Sequence, residues 1–153
     1  MLDIIVIADT SCLIALTKIQ ALGFLEKLYR EIYVTREIAM EFGEKLPDWI
    51  KVESVRNKKY QQLLDLFLDK GEASAIALAL EFDNVLLILD DLKGRKEAEK
   101  LGLKITGTLG ILIKTKQSGL IQELRPYLED LKAAGFRISP IVEKEVLRRT
   151  DEV

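Results

Sequence analysis

The chain has 153 residues, 48% hydrophobic and 31% charged, enough for one domain with a substantial core, which excludes disorder and low complexity. Its 23 basic and 25 acidic side chains leave a net charge of -2, so no overall field draws it to nucleic acid or an anionic membrane, and any nucleic-acid binding must come from a local patch. The absence of histidine removes Ser-His-Asp and Cys-His catalysis and imidazole metal sites, and the single cysteine, Cys12, removes internal disulfides and cysteine-built zinc or iron–sulfur sites.

Taken in chain order, residues 4–8 (IIVIA) form a short continuous apolar run, the pattern of a parallel strand covered on both faces. Asp9 follows it and precedes a helix expected from Ser11 to Lys18. A weaker strand is expected at Ile32 to Val34, followed by a helix on which Glu37, Glu41 and Glu44 make a stripe, with Ile38 and Phe42 on the buried face. Val52 to Val55 is the next strand. Tyr60, Leu63, Leu64, Phe67 and Leu68, then Ala73, Ile76, Ala77 and Leu80, recur at helical spacing. Residues 85–89 (VLLIL) form the second continuous run and precede Asp90, Asp91 and a helix from Lys93 to Leu101. Lys104 to Thr106 is the last strand. Gly71 and Gly107 mark helix starts, and Gly119 and Gly135 mark helix ends. Pro126 either kinks its helix or separates two, and Ser139 with Pro140 caps a final helix through Arg149. Strand alternating with helix predicts a three-layer α/β/α sandwich around a central parallel sheet, as a single domain over 1–153 with the helices of about 120–150 packed as a C-terminal extension. The lone cysteine, a start lacking a basic leader, and no apolar run near the roughly 18 residues of a membrane span lead to an expectation of a soluble, cytoplasmic protein.

In open α/β sheets the site lies beyond the carboxyl ends of the strands. Asp9, Asp90 and Asp91 all fall there, and although each alone reads as a helix cap, neighbouring strands would bring the three into one cleft. Converging carboxylates repel and call for a cation, and oxygen-only ligands select Mg²⁺ or Mn²⁺, ions that act on phosphate substrates. Glu72, in the first turn of its helix, is a further candidate. So is Glu41, nearer the core boundary than Glu37, which stands as its substitute. Thr10 and Ser11 flank Asp9 as orienting or phosphate-contacting residues. Lys93, Arg95 and Lys96 are candidates for a phosphate backbone, or else a solvated face with Arg95 paired to Asp91. Cys12 reads as a small buried hydrophobe.

The segments IADTSCLIAL, KGEASAIALAL, LILDDLKGRKEAEKLGLKITGTLGILIKTKQSGLI and LKAAGFRIS together resemble a PIN domain of the DUF3368-type subgroup, over nearly the whole chain. The resemblance implies an acidic pocket at the carboxyl edge of a parallel sheet and Mg²⁺- or Mn²⁺-dependent cleavage of RNA. It also implies kinship with VapC-type toxin ribonucleases, which are neutralised by an antitoxin. By position Asp9, Glu41, Glu72 and Asp91 match the family's acids, with Asp90 beside the last, and Thr10 and Ser11 match its small polar pair. A homodimer is expected, served by apolar positions on the helices from Ser11 to Arg30. The rival is a catalytically weak PIN-fold module that acts through dimerisation or a protein partner. A phosphoacceptor receiver domain puts its acidic pair after the first strand, whereas here the pair comes late.

Overall fold

The computed structural model describes residues 4–152, so the outermost positions of the expected 1–153 domain lie outside the described residues. The elements run β1 (Ile5–Ala8), α1 (Thr10–Lys18), α2 (Gly23–Tyr29), β2 (Ile32–Thr35), α3 (Arg36–Phe42), β3 (Ile50–Glu53), α4 (Lys58–Asp65) and α5 (Lys70–Ala79). They continue β4 (Val85–Ile88), α6 (Leu92–Lys100), β5 (Lys104–Thr106), α7 (Thr108–Gln117), α8 (Arg125–Ala133) and α9 (Pro140–Arg149). The five strands form one sheet in the order β3-β2-β1-β4-β5, parallel throughout, and with the helices make the three-layer α/β/α fold. Connections toward β3 and toward β5 leave in opposite directions, and right-handed crossovers therefore place their helices on opposite faces. The two continuous apolar runs are the adjacent central strands: Ile5 pairs with Val85 and Ala8 with Ile88, and Val6, Ile7, Ala8, Leu87 and Ile88 are all buried. A sheet covered on both faces needs this composition, which is why β1 and β4 show no polar alternation.

Three local expectations change. The strand expected at 52–55 starts two residues earlier, because buried Ile50 pairs with Ile32, while Val55 is buried beyond the strand end. On α4 and the turn after it, Leu64 and Leu68 are buried but Leu63 and Phe67 are about half exposed; the buried Gln61 donates to Glu37 of α3 and takes the inward position that periodicity gives to an apolar residue. The helix carrying the glutamate stripe ends at Phe42 with Gly43 in a left-handed cap (φ 74°), so Glu44 is off the helix. Pro126 proves to sit in the first turn of α8, where the missing amide costs no hydrogen bond. Ser139 caps α9, accepting from the Val142 amide.

The C-terminal helices close over α1 and α2. Phe24 meets Tyr127 edge-to-face with centroids 5.4 Å apart, and Lys114 lies 4.8 Å over the Tyr29 ring. With Leu13, Leu16, Ile19 and Leu25 buried, the apolar positions expected to serve a dimer are mostly occupied within the chain. Glu152 ties this layer together. Its carboxylate accepts from Lys116 Nζ (2.9 Å) and from the Leu124 and Arg125 amides (2.8 and 3.0 Å) at the start of α8. Burial works to raise the Glu152 carboxyl, but the Leu124 amide, the Lys116 ammonium and the Arg125 amide outweigh it and hold the group down to about 2.

A depressed folded-state pKa contributes stability above the unfolded value that is lost as pH falls toward the folded one. Glu152→Ala is expected to lower stability at neutral pH by about 2 kcal/mol, since charge-assisted hydrogen bonds are lost together, and the cost should shrink as pH falls from 4.5 toward 2. Urea melts of both proteins across that range check it.

Candidate active site

The β1–β4 pair is where the strand order reverses direction, and the crevice at such a point opens at the carboxyl ends of the strands. Asp9 follows β1 there, its amide bonded to the Ile88 carbonyl at 3.0 Å, and Asp90 follows Leu89 at the end of β4. Asp9 occupies the N-cap position of α1, yet its side chain makes no capping hydrogen bond, so capping does not account for it. It is 4% exposed. Burial pushes its carboxyl up to about 7, against the Thr10 amide, and the neighbouring charges of Asp69, Glu41 and Asp90 add to the rise.

Glu41 reaches the same place from α3. The Thr10 hydroxyl donates to its Oε1, and Gly71 of α5 makes room for it: a Cβ on Gly71 would lie 2.5 Å from Glu41 Oε1 and 3.4 Å from Asp9 Oδ1. Glu37 turns away to Gln61, so of the two alternatives on the stripe only Glu41 joins Asp9. Glu72 is buried in the first turn of α5, its carboxyl raised to about 8 by burial, by a hydrogen bond to Asp69 and by the charges of Asp69, Asp91 and Asp9.

Asp69 is the acid the sequence reading missed. It caps α5, its Oδ1 accepting from the Glu72 amide at 3.0 Å, and its charge bears on both Asp9 and Glu72. The signal was present as Asp69-Lys70-Gly71-Glu72, an N-cap acid with a glutamate three residues on. In the usual capping box that glutamate reaches back to the backbone; here it bonds to the Asp69 side chain instead.

The acidic pair divides its duties. Asp90 accepts from the Thr108 amide (2.8 Å, Oδ1) and hydroxyl (2.5 Å, Oδ2), which docks the start of α7 on the end of β4. Asp91 caps α6, its Oδ2 accepting from the Gly94 amide at 3.0 Å, so for it the capping reading holds. Cys12 is fully buried beneath Asp9 and Asp90; burial, then the Asp90 charge, pushes its thiol up, which keeps it an inert packing group. Thr10 is buried, whereas Ser11 is exposed and lines a groove with Ile14, Lys18 and Phe136. On α6, Lys93 and Lys96 are exposed. Arg95 does not pair with Asp91: it is half-buried and donates to the Leu89 carbonyl at 3.0 Å.

The charges of Asp69, Glu41 and Asp90 thus act on Asp9, and those of Asp69, Asp91 and Asp9 on Glu72. Among the described residues no three carboxylates close around a single point as a ready-made cage. The donor set is nevertheless one that suits a hard divalent cation: all oxygen, and with two members whose carboxyls burial and then neighbouring acids hold high. Mg²⁺ is characteristically bound by one or two carboxylates, with water and substrate phosphate completing the shell.

A family model described as a PIN domain (DUF3368) matches residues 5–152, and the chain belongs to that family, whose fold is of nuclease type. No curated protein and no solved structure matches it.

For Asp9 and Glu72, folded-state values above the unfolded ones mean that the stability linked to them is complete below about pH 4 and is lost as pH rises through about 7 to 8. In EDTA the melting temperature is therefore expected to fall between pH 5 and pH 9, and Glu72→Gln should flatten the fall and melt higher at pH 9. A wild-type melting temperature that climbs over this interval would contradict the shared acidic cleft.

Proposed function

We propose that this PIN domain is a metal-dependent endoribonuclease that hydrolyses RNA phosphodiester bonds in the acidic cleft. The observation that carries the reading is the convergence of Asp9, Glu41, Asp69, Glu72, Asp90 and Asp91 at the switch point of a PIN fold, with Asp9 and Glu72 buried and held protonatable near neutrality. Asp9, Glu72, Asp90 and Asp91 are the residues that would hold Mg²⁺ or Mn²⁺, one or two of them to an ion with water and substrate phosphate completing the shell. Such an ion supplies Lewis-acid polarisation of the phosphate and neutralises its developing charge.

The chain's own residues do the rest. Thr108 fixes the Asp90 carboxylate through both oxygens, and the Gly94 amide fixes Asp91, so these ligands are preorganised before substrate arrives. Thr10 orients Glu41, which stands outside the ligand set and accepts the proton of the attacking water, a task that falls to a carboxylate in a chain without histidine. Ser11 and the exposed Lys93 and Lys96 contact the phosphate backbone beside the cleft, with Arg95 in the same run. A toxin role with an antitoxin protein as partner, and a cytoplasmic setting, complete the proposal. RNA as substrate and a free buried thiol suit that setting, and among the described residues no helix is long and apolar enough to cross a membrane.

A second reading, a PIN-fold module working mainly through a homodimer or another protein, draws support from the exposed side chains Leu63, Leu66 and Phe67 at helical spacing along α4 and its end. Light scattering at micromolar concentration is expected to give the mass of a dimer, and a monomer alone would remove that part.

RNA cleavage should require Mg²⁺ or Mn²⁺ and fall by at least about 100-fold in Asp9→Asn, which removes a charge from the ligand set. Undiminished cleavage in EDTA would reject the mechanism, and undiminished cleavage by the variant would reject the role of Asp9.

A further inference from the structure

Arg95 stands apart from the other basic residues of α6. Lys93 and Lys96 are exposed, whereas Arg95 folds back over the strand ends, donating through Nη1 to the Leu89 carbonyl, one residue before Asp90. Among the described residues none of the ion pairs includes it, so a half-buried guanidinium lies at the edge of an acidic cleft without a carboxylate partner within ion-pair distance. Gly107 makes this possible. A Cβ there would lie 2.6 Å from Asp90 Oδ1 and 2.9 Å from Arg95 Nη1, so the missing side chain is the space in which the Asp90 carboxylate and the Arg95 guanidinium stand side by side.

We propose that Arg95 is a substrate-contacting residue that binds a non-bridging oxygen of the cleaved phosphate beside Asp90, a task distinct from the backbone contacts of Lys93 and Lys96. The inference rests on the nuclease reading above and deepens it. A polyanion entering a cleft lined by carboxylates needs positive charge at the point of reaction as well as along the approach. A long exposed lysine supplies the second but is not held still enough for the first. Arg95 is held: one nitrogen is fixed on Leu89, and the planar fork keeps the rest of the guanidinium in a defined plane, the geometry suited to phosphate oxygens. A purely structural staple on Leu89 would not require Gly107 to clear the space shared with Asp90, and it would act on the fold rather than on the substrate's charge.

The test uses the full chain with an RNA oligonucleotide carrying one mapped cleavage site. Arg95→Ala, Arg95→Lys and Gly107→Ala are compared with wild type and with the double variant Lys93→Ala/Lys96→Ala. Arg95→Ala is expected to lower kcat by about 100-fold with KM raised about 10-fold at most, and Arg95→Lys to retain part of the loss because charge without the fork is a poorer match. Gly107→Ala should fall with them, and the double lysine variant should instead raise KM and flatten the salt dependence. Binding in Ca²⁺ of an RNA with a neutral methylphosphonate at the cleaved position gives the decisive reading: the substitution should weaken wild type about 10-fold and leave Arg95→Ala nearly unchanged, a coupling expected of groups in contact. The melting-temperature gain from Mn²⁺ should be the same in wild type and Arg95→Ala. Equal methylphosphonate penalties in the two proteins, or an Mn²⁺ gain lost along with activity, would overturn the proposal and leave Arg95 a staple. A wild type without metal-dependent cleavage would instead overturn the nuclease reading itself.

Discussion

The parallel, in-register pairing of β1 with β4 is the constraint on which the rest of the structure depends. Because Ala8 sits opposite Ile88, the residues that follow both strands emerge together at the carboxyl edge, and the side chains emerging there are Asp9 and Asp90. The chain leaves β1 toward β2 and leaves β4 toward β5, so the two segments that follow the central strands diverge at their carboxyl ends. A crevice follows from the topology alone. α3 and α5 then deliver Glu41 and Glu72 into a place whose position the strands have already set.

Most of the acids serve the fold and the cleft at once. Asp69 and Asp91 satisfy orphan amides at the starts of α5 and α6, and Asp90 does the same for α7 from across the sheet. These bonds offset part of the cost of gathering carboxylates and also fix their directions. The Asp9 side chain makes no capping bond to α1, and it is Asp69 rather than Glu72 that caps α5. Burial first, and neighbouring acids after it, raise both carboxyls.

The features legible in the sequence are those with one-dimensional signals. Continuous apolar runs identified β1 and β4, and acids at their ends identified Asp9, Asp90 and Asp91 as a group, since strand direction fixes which end carries the site. Three things were not legible, each for a physical reason. Asp69 looked like any helix cap, because its dealings with Glu72 depend on a side-chain bond that spacing does not reveal. Choosing Glu41 over Glu37 by angle alone left a difference of one turn; it took Thr10 on one side and Gln61 on the other to separate them. Arg95 read as one member of a basic run because i, i+4 spacing predicts a pair with Asp91, and only the three-dimensional proximity of Gly107 explains why it turns inward. The face of α4 misled for the converse reason: a buried glutamine with a specific partner breaks a periodicity that counts apolar residues alone.

The same cluster explains how a protein without histidine can be sensitive to pH near neutrality. Asp9 and Glu72 cannot both be buried, ionised and without a cation at little cost, so between about pH 4 and 8 the metal-free fold retains protons that the unfolded chain has already released. A divalent cation competes with those protons for the same oxygens, so its binding has to expel them and its apparent affinity has to strengthen as pH rises. The C-terminal clasp at Glu152 works in a separate window, since its carboxyl titrates near 2 against cationic and amide partners rather than against other acids. Acid therefore loosens the helical layer over α1 and α2, whereas alkali strains the cleft at the strand ends. In the metal-free protein those two opposing slopes leave the fold most secure between them, on the acid side of neutrality, and an ion in the cleft extends that range upward by removing the repulsion that limits it.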